Sequence, residues 1–137
     1  LEMRGADAGP LPRLIALPAF WVGLLYDRVA LDAAWQLVKG WSAADRQTLR
    51  DEVPRLGLLA TIGGRSVREV AQDALDIAQG GLARRARLNQ KGQDESIYLA
   101  PLFDTVESGL TLAEFLLAEF DGRWGGSVRP AFEEYAV

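Results

Sequence analysis

The run LIALPAFWVGLLY, residues 14–26, constrains this chain more than any other stretch. It carries no charge, and as a helix it is apolar nearly all round. A helix of that kind must be buried on several sides. It is too short to cross a bilayer, which takes about 20 apolar residues, and Pro18 interrupts it. The rest of the chain therefore has to build a core around it.

The material for a core is present. The chain has 137 residues, 49% hydrophobic and 25% charged, which is one domain's worth or a piece of a larger domain. Fifteen basic and 19 acidic residues give a net charge of −4. That balance argues against nucleic acid as a partner and gives no reason to expect a membrane surface. There is no cysteine and no histidine. Disulfides, thiolate or imidazole metal sites and Ser-His-Asp hydrolysis are thereby excluded. Chemistry must rest on carboxylates, Arg, Lys, hydroxyls or backbone, with any metal bound through oxygen. The N-terminus lacks the pattern of a signal peptide, so a cytoplasmic location is expected.

Helix punctuation organises the remainder. Pro18 suits a first helical turn, and the apolar spacing from Phe20 to Val38 predicts two helices, or one broken near Asp27, ending by Gly40. Ser42 and Asp45 open a further helix that Pro54 should stop after Val53. Residues 57–66 read as a loop with a short extended piece. Ser66 and Glu69 form a capping box for a helix with the stripe Val67, Val70, Ala71, Ala74, Ile77, Ala78 and Leu82, weakened at Gly80-Gly81. Asp94 caps another helix that Pro101 kinks or shortens and Gly109 ends. Thr111 and Glu114 make a second capping box, with Gly122 as terminator. A Gly-rich turn and one more helical turn close the chain. The expectation is a mainly α chain of about six helices, with one strand at the N-terminus.

Most conspicuous groups have ordinary readings. Arg84, Arg85 and Arg87 complement a helix C-terminus and face water, with phosphate binding the sharper alternative. The Trp and Phe residues, Trp35 and Phe115 among them, mostly fall on apolar faces and read as core; Trp41 and Trp124 stay open. Asp94-Glu95 suits a helix start, and Glu133-Glu134 a solvated face.

The N-terminal LEMR alternates apolar and charged, as a half-buried strand does, until Gly5, Gly9, Pro10 and Pro12 end regular structure. Glu2 and Arg4 then share one face. They are either an exposed ion pair or the wall of a cleft, a carboxylate for a hard cation beside a guanidinium for phosphate or carboxylate.

Several stretches, in order, resemble glutamate–cysteine ligases of the plant and proteobacterial type: LEMRGADAGP–LPRLIALPAFWVGLLYD, VPRLGL, LARRAR with its following Asp94-Glu95, SGLTLAEFLLAEFDGRWGGSV and PAFEEYAV. The resemblance covers essentially the whole chain. Family members are roughly three times longer, so it implies a C-terminal part of a single catalytic domain, residues 1–137, cut in mid-strand. Residues 1–5 would be a strand of the substrate cup and residues 17–137 its helical support, in an α+β domain of the glutamine-synthetase type. The implied enzyme joins the γ-carboxyl of glutamate to the amine of cysteine, with ATP and Mg2+, through a γ-glutamyl phosphate. This is the first step of glutathione biosynthesis. Glutamate and cysteine are the implied partners, and this part alone should be inactive.

The superfamily's E-x-R pattern with a following Asp falls on Glu2, Arg4 and Asp7. The resemblance makes Glu2 a Mg2+ ligand. It makes Arg4 the catalytic and substrate-binding group, neutralising glutamate's carboxylate or the transferring phosphoryl, and Asp7 a second substrate-binding residue. Plant members carry a regulatory Cys where this chain has Ile15, so no such redox switch is expected here and a bacterial source fits. Without the sheet, the helix around Phe20–Tyr26 should expose an apolar patch. Two alternatives stand beside this reading: a related ligase joining glutamate to another amine, and a non-catalytic helical interaction module.

Overall fold

The computed structural model describes residues 9–135. The predicted strand at residues 1–5, with Glu2, Arg4 and Asp7, lies outside them. Seven α-helices are described: α1 (Leu11–Leu25), α2 (Arg28–Val38), α3 (Ala43–Leu56), α4 (Val67–Arg85), α5 (Ala100–Ser108), α6 (Leu112–Asp121) and α7 (Arg129–Glu134). Single 3-10 turns span Gly57–Leu59 and Glu95–Leu99. A two-residue hairpin joins β1 (Thr61–Ile62) to β2 (Arg65–Ser66), antiparallel, with Thr61 opposite Ser66. Gly63 and Gly64 at its tip both take positive φ, 59° and 79°, as a tight hairpin turn demands.

The mainly α expectation holds, and so do the three S/T-x-x-D/E signals. At Ser42–Asp45, Ser66–Glu69 and Thr111–Glu114 both reciprocal hydrogen bonds of a capping box are present. The break near Asp27 is real: α1 and α2 meet at 94°. Three proline readings need correction. Pro10 and Pro12 do not end structure but start it, as N-cap and first-turn residue of α1, where a missing N–H costs nothing. Pro18 therefore lies inside that helix, not in its first turn. Pro54 does not stop α3, which runs on to Leu56 and is capped at Gly57 with φ 52°. The helix expected from Asp94 begins instead as a 3-10 turn, with Pro101 in the first turn of α5.

The core sits where α1 crosses α4. Leu24, Ala78, Leu82 and Leu99 are its buried centre, with Phe20, Trp21, Ile77, Leu102 and Phe103 packed around them. Leu82 and Leu99 are the largest fully buried side chains, each contributing about 1.5–3 kcal/mol by leaving water. Gly23 of α1 and Gly81 of α4 allow the close approach. A Cβ on Gly23 would meet the Ala78 Cα at 2.9 Å, and one on Gly81 the Ala30 Cβ at 3.0 Å. Gly81, expected only to weaken α4, is thus a crossing point.

Burial is uneven. No residue of α3, α6 or α7 is buried. Trp35 is 61% exposed and Phe115 is also exposed, so both depart from the core reading. Trp124 is buried, edge-on to Tyr135. The expected apolar patch is borne out in part: Phe20 and Leu24 are packed, whereas Tyr26 is exposed, as are Leu11, Leu14 and Ile15 nearer the N-terminus.

Candidate functional site

The residues assigned to substrate and metal, Glu2, Arg4 and Asp7, precede the described chain. Immediately downstream, Gly9 lies against the Arg13 side chain and Leu112, so the start of α1 sits at the N-terminus of α6. Pro10 then starts α1 by accepting from the Arg13 N–H at 2.8 Å. The segment that carries Glu2, Arg4 and Asp7 is therefore joined to the helix that forms half of the core.

A second device fixes the far end of α1. Asp27 is the N-cap of α2, its Oδ1 accepting from the Ala30 N–H at 2.8 Å. The same oxygen accepts from Arg84 Nε at 3.0 Å and Nη2 at 2.8 Å. The Arg84 guanidinium, with the Ala30 N–H, holds the Asp27 carboxyl below its ordinary range. The elbow between α1 and α2 is thus tied to the end of α4.

Several other arginines are similarly employed. Arg85 reaches Glu95 at 3.3 Å and lies over the Tyr26 ring. Arg68 donates to the Val106 and Glu107 carbonyls at 2.6 Å each, closing the C-terminus of α5. Arg123 pairs with Glu119 and Glu134, and Arg129 with Glu133, so the Glu133-Glu134 pair is engaged in ion pairs. Of the RRAR cluster, Arg84 and Arg85 bind carboxylates of the chain itself, which leaves little for phosphate.

A cleft of about 650 Å3 runs between α4 and α5, with Arg65, Arg68, Asp73 and Glu107 on its walls. Arg65 donates to Asp73 at 2.7 Å, and that hydrogen bond raises the guanidinium's already high pKa. An anionic ligand would have to displace Asp73. Glu69 is held low by the Ser66 N–H and hydroxyl that it caps, and is spent on the helix start. Arg65, Arg68, Glu69 and Asp73 are thus engaged by partners within the chain. Among the described residues no three acidic side chains converge as a metal site. Among them, too, no single helix is long and apolar enough to cross a membrane. The described region is a helical architecture tied by caps and ion pairs.

Comparison with known families resolves what that architecture belongs to. Residues 1–134 match the family described as glutamate-cysteine ligase family 2. The chain belongs to this family. Among curated relatives, it is 46% identical over 134 residues to the chloroplastic glutamate–cysteine ligase of Nicotiana tabacum, covering 98% of this chain and 24% of the relative. It is 47% identical to that of Arabidopsis thaliana and 42% to that of Medicago truncatula, over 98% of this chain in each case. The chain thus spans about a quarter of these ligases' length, less than the third expected from the resemblance.

Two expectations fall here. These ligases are named chloroplastic, which points to a plastid and overturns the cytoplasmic location. They are also plant enzymes, so the bacterial source inferred from Ile15 is not supported. Sequence reasoning also misses the Asp27–Arg84 tie and the Arg68 clasp. Asp27 ahead of an apolar run is a visible capping signal, but its partner lies 57 residues away.

Proposed function

We propose that this chain is the C-terminal helical part of an ATP-dependent glutamate–cysteine ligase, and that Glu2, Arg4 and Asp7 contribute to its substrate cup. The observation that carries this reading is the family match over residues 1–134, joined to identities of 42–47% with named ligases across nearly the whole chain. The reaction so proposed has two steps. The γ-carboxylate of glutamate takes the terminal phosphoryl group of ATP, releasing ADP. The amine of cysteine then attacks the activated carbonyl, phosphate leaves, and the amine gives up a proton.

In this reading Glu2 is an oxygen ligand for Mg2+, a cation that prefers carboxylates and bridges phosphates. Arg4 offsets negative charge on glutamate or on the phosphoryl group in transfer, where electrostatics and positioning do most of the catalysis. In this reading the described helices supply support, with α1 clamped by the α4 crossing and the Asp27–Arg84 tie. The test replaces the matched segment of the Nicotiana tabacum relative with residues 1–134 of this chain. ATP-dependent γ-glutamylcysteine formation is expected from the hybrid and none from the chain alone. A folded hybrid without that activity, or an active isolated chain, overturns the reading.

A further inference from the structure

Arg123 presents the end of its guanidinium to the carboxylate of Glu134. Nη1 donates to Oε1 at 2.9 Å and Nη2 to Oε2 at 2.7 Å, the planar fork that matches a carboxylate. A third donor stands beside them. Trp124 is only 8% exposed, and among the described residues its Nε1–H makes no hydrogen bond. Buried donors are nearly always satisfied, so an orphaned one calls for an explanation. The indole does act on the same carboxylate: Arg123 first, and Trp124 after it, hold the Glu134 carboxyl below its ordinary range.

The donors are fixed from the α6 side, without Glu134. Arg123 Nε is bonded to the Glu119 carboxylate, and the Glu119 carbonyl accepts from the Trp124 backbone N–H at 2.8 Å. The Gly126 N–H closes the turn on the Phe120 carbonyl, also at 2.8 Å. The acceptor is held far less firmly. Glu134 is carried by α7, six residues of which none is buried, and Phe132 on it is 74% exposed. Beyond the fork, the Tyr135 ring meets Trp124 edge-on, with centroids 6.4 Å apart. A segment with so little burial opens at small cost. With Glu134 withdrawn, Arg123 keeps Glu119 on its Nε and has the Nη edge open beside the indole N–H.

We propose that Arg123 and Trp124 Nε1 form a carboxylate-binding site which the chain closes with its own Glu134, and that a small free carboxylate takes the same place when α7 swings away. Glu134 is then a tethered ligand, and α7 the strap that delivers it. A free carboxylate can settle against both the guanidinium edge and the indole N–H, a bond that the anchored Glu134 side chain leaves unmade. The site does not depend on the ligase reading.

The test empties the site with Glu134→Gln and offers propionate, which is the Glu side chain cut from its backbone. Chloride at equal ionic strength is the control. The readout is the Trp124 indole resonance in a proton–nitrogen correlation spectrum, assigned by its loss in Trp124→Phe. In Glu134→Gln it should shift saturably, half-complete at roughly 1–100 mM propionate. The unchanged chain should need about tenfold more, because its tethered Glu134 competes. Arg123→Gln added to Glu134→Gln should abolish the shift. A shift that chloride reproduces, that does not saturate or that survives Arg123→Gln overturns the proposal. So does an equal response from the unchanged chain. Saturation by a synthetic peptide of residues 129–135 but not by propionate also overturns it, since the site would then be a dock for a helix. Ending the chain at Ser127 empties the site by a second route. If the α6 amides lose their native positions in both variants, the site does not exist without its strap and the proposal falls.

Discussion

Gly23 and Gly81 face each other across the α1–α4 crossing so closely that neither position has room for a Cβ. On Gly23 the added carbon would run into the Ala78 backbone, and on Gly81 into the Gly23 carbonyl. Backbone cannot rotate aside as a side chain does. Gly81→Ala should therefore destabilise the chain by about 1–3 kcal/mol through overpacking, despite alanine's better helix propensity. Gly40→Ala is the control, since a Cβ there meets nothing within 4 Å. Denaturant melts should separate the two, with Gly40→Ala near the unchanged chain.

Ala86 predicts the opposite sign. It ends α4 in the left-handed region, φ 50° and ψ 39°, and is the one non-glycine residue of positive φ among those described. That conformation costs an L-residue about 1–2 kcal/mol, partly offset by glycine's larger loss of freedom on folding. Ala86→Gly should raise the melting temperature, with a net gain of up to about 1 kcal/mol. A lower melting temperature would refute this.

Asp27 carries a pH signature. Its carboxyl lies below the ordinary value of 3.8 because Arg84 and the Ala30 N–H bind the ionised form. The folded state thus favours ionised Asp27 more than the unfolded state does. That stabilisation is complete above 3.8 and is lost as pH falls through the lower folded value. Asn caps helices about as well as Asp, so Asp27→Asn removes the charge and keeps the cap. The variant should melt below the unchanged chain at neutral pH, with a gap that closes in acid below 3.8. A gap that stays constant from neutral pH into strong acid would show that the charge is not the cause.

For the proposed activity, the hybrid ligase gives a direct reading of two residues. Glu2→Gln removes a metal-binding charge and should lower kcat and shift activation to higher Mg2+ concentration. Arg4→Lys keeps the charge but loses the planar fork, and should lower kcat/KM by about a hundredfold. Unchanged kinetics in either variant would remove that residue from the site.

What the sequence reveals and what it hides divide along physical lines. The three capping boxes and the elbow at Asp27 are legible because their signals span four residues and need no tertiary partner. The prolines mislead because position decides their effect: Pro12 sits in a first turn, where a missing N–H is harmless, while α1 and α3 run on through Pro18 and Pro54. Gly81 reads as a local weakness because Gly23, which gives it meaning, is distant in sequence. Spacing alone puts Trp35 in the core, yet spacing cannot tell an inner face from an outer one when both are apolar. Glu2 and Arg4 stand out by same-face alternation, and they lie outside the described residues.

The uneven burial also sets the order in which this chain comes apart. The α1–α4 crossing holds the fully buried leucines, whereas α3, α6 and α7 hold no buried residue and rely on caps and surface ion pairs. Surface ion pairs contribute little each, about 0–1 kcal/mol. These rim helices will open at a small fraction of the global unfolding free energy, exchanging their amide protons and meeting proteases while the crossing stays shut. A ligase assembled on such a frame has a rigid hinge-pin and a yielding collar.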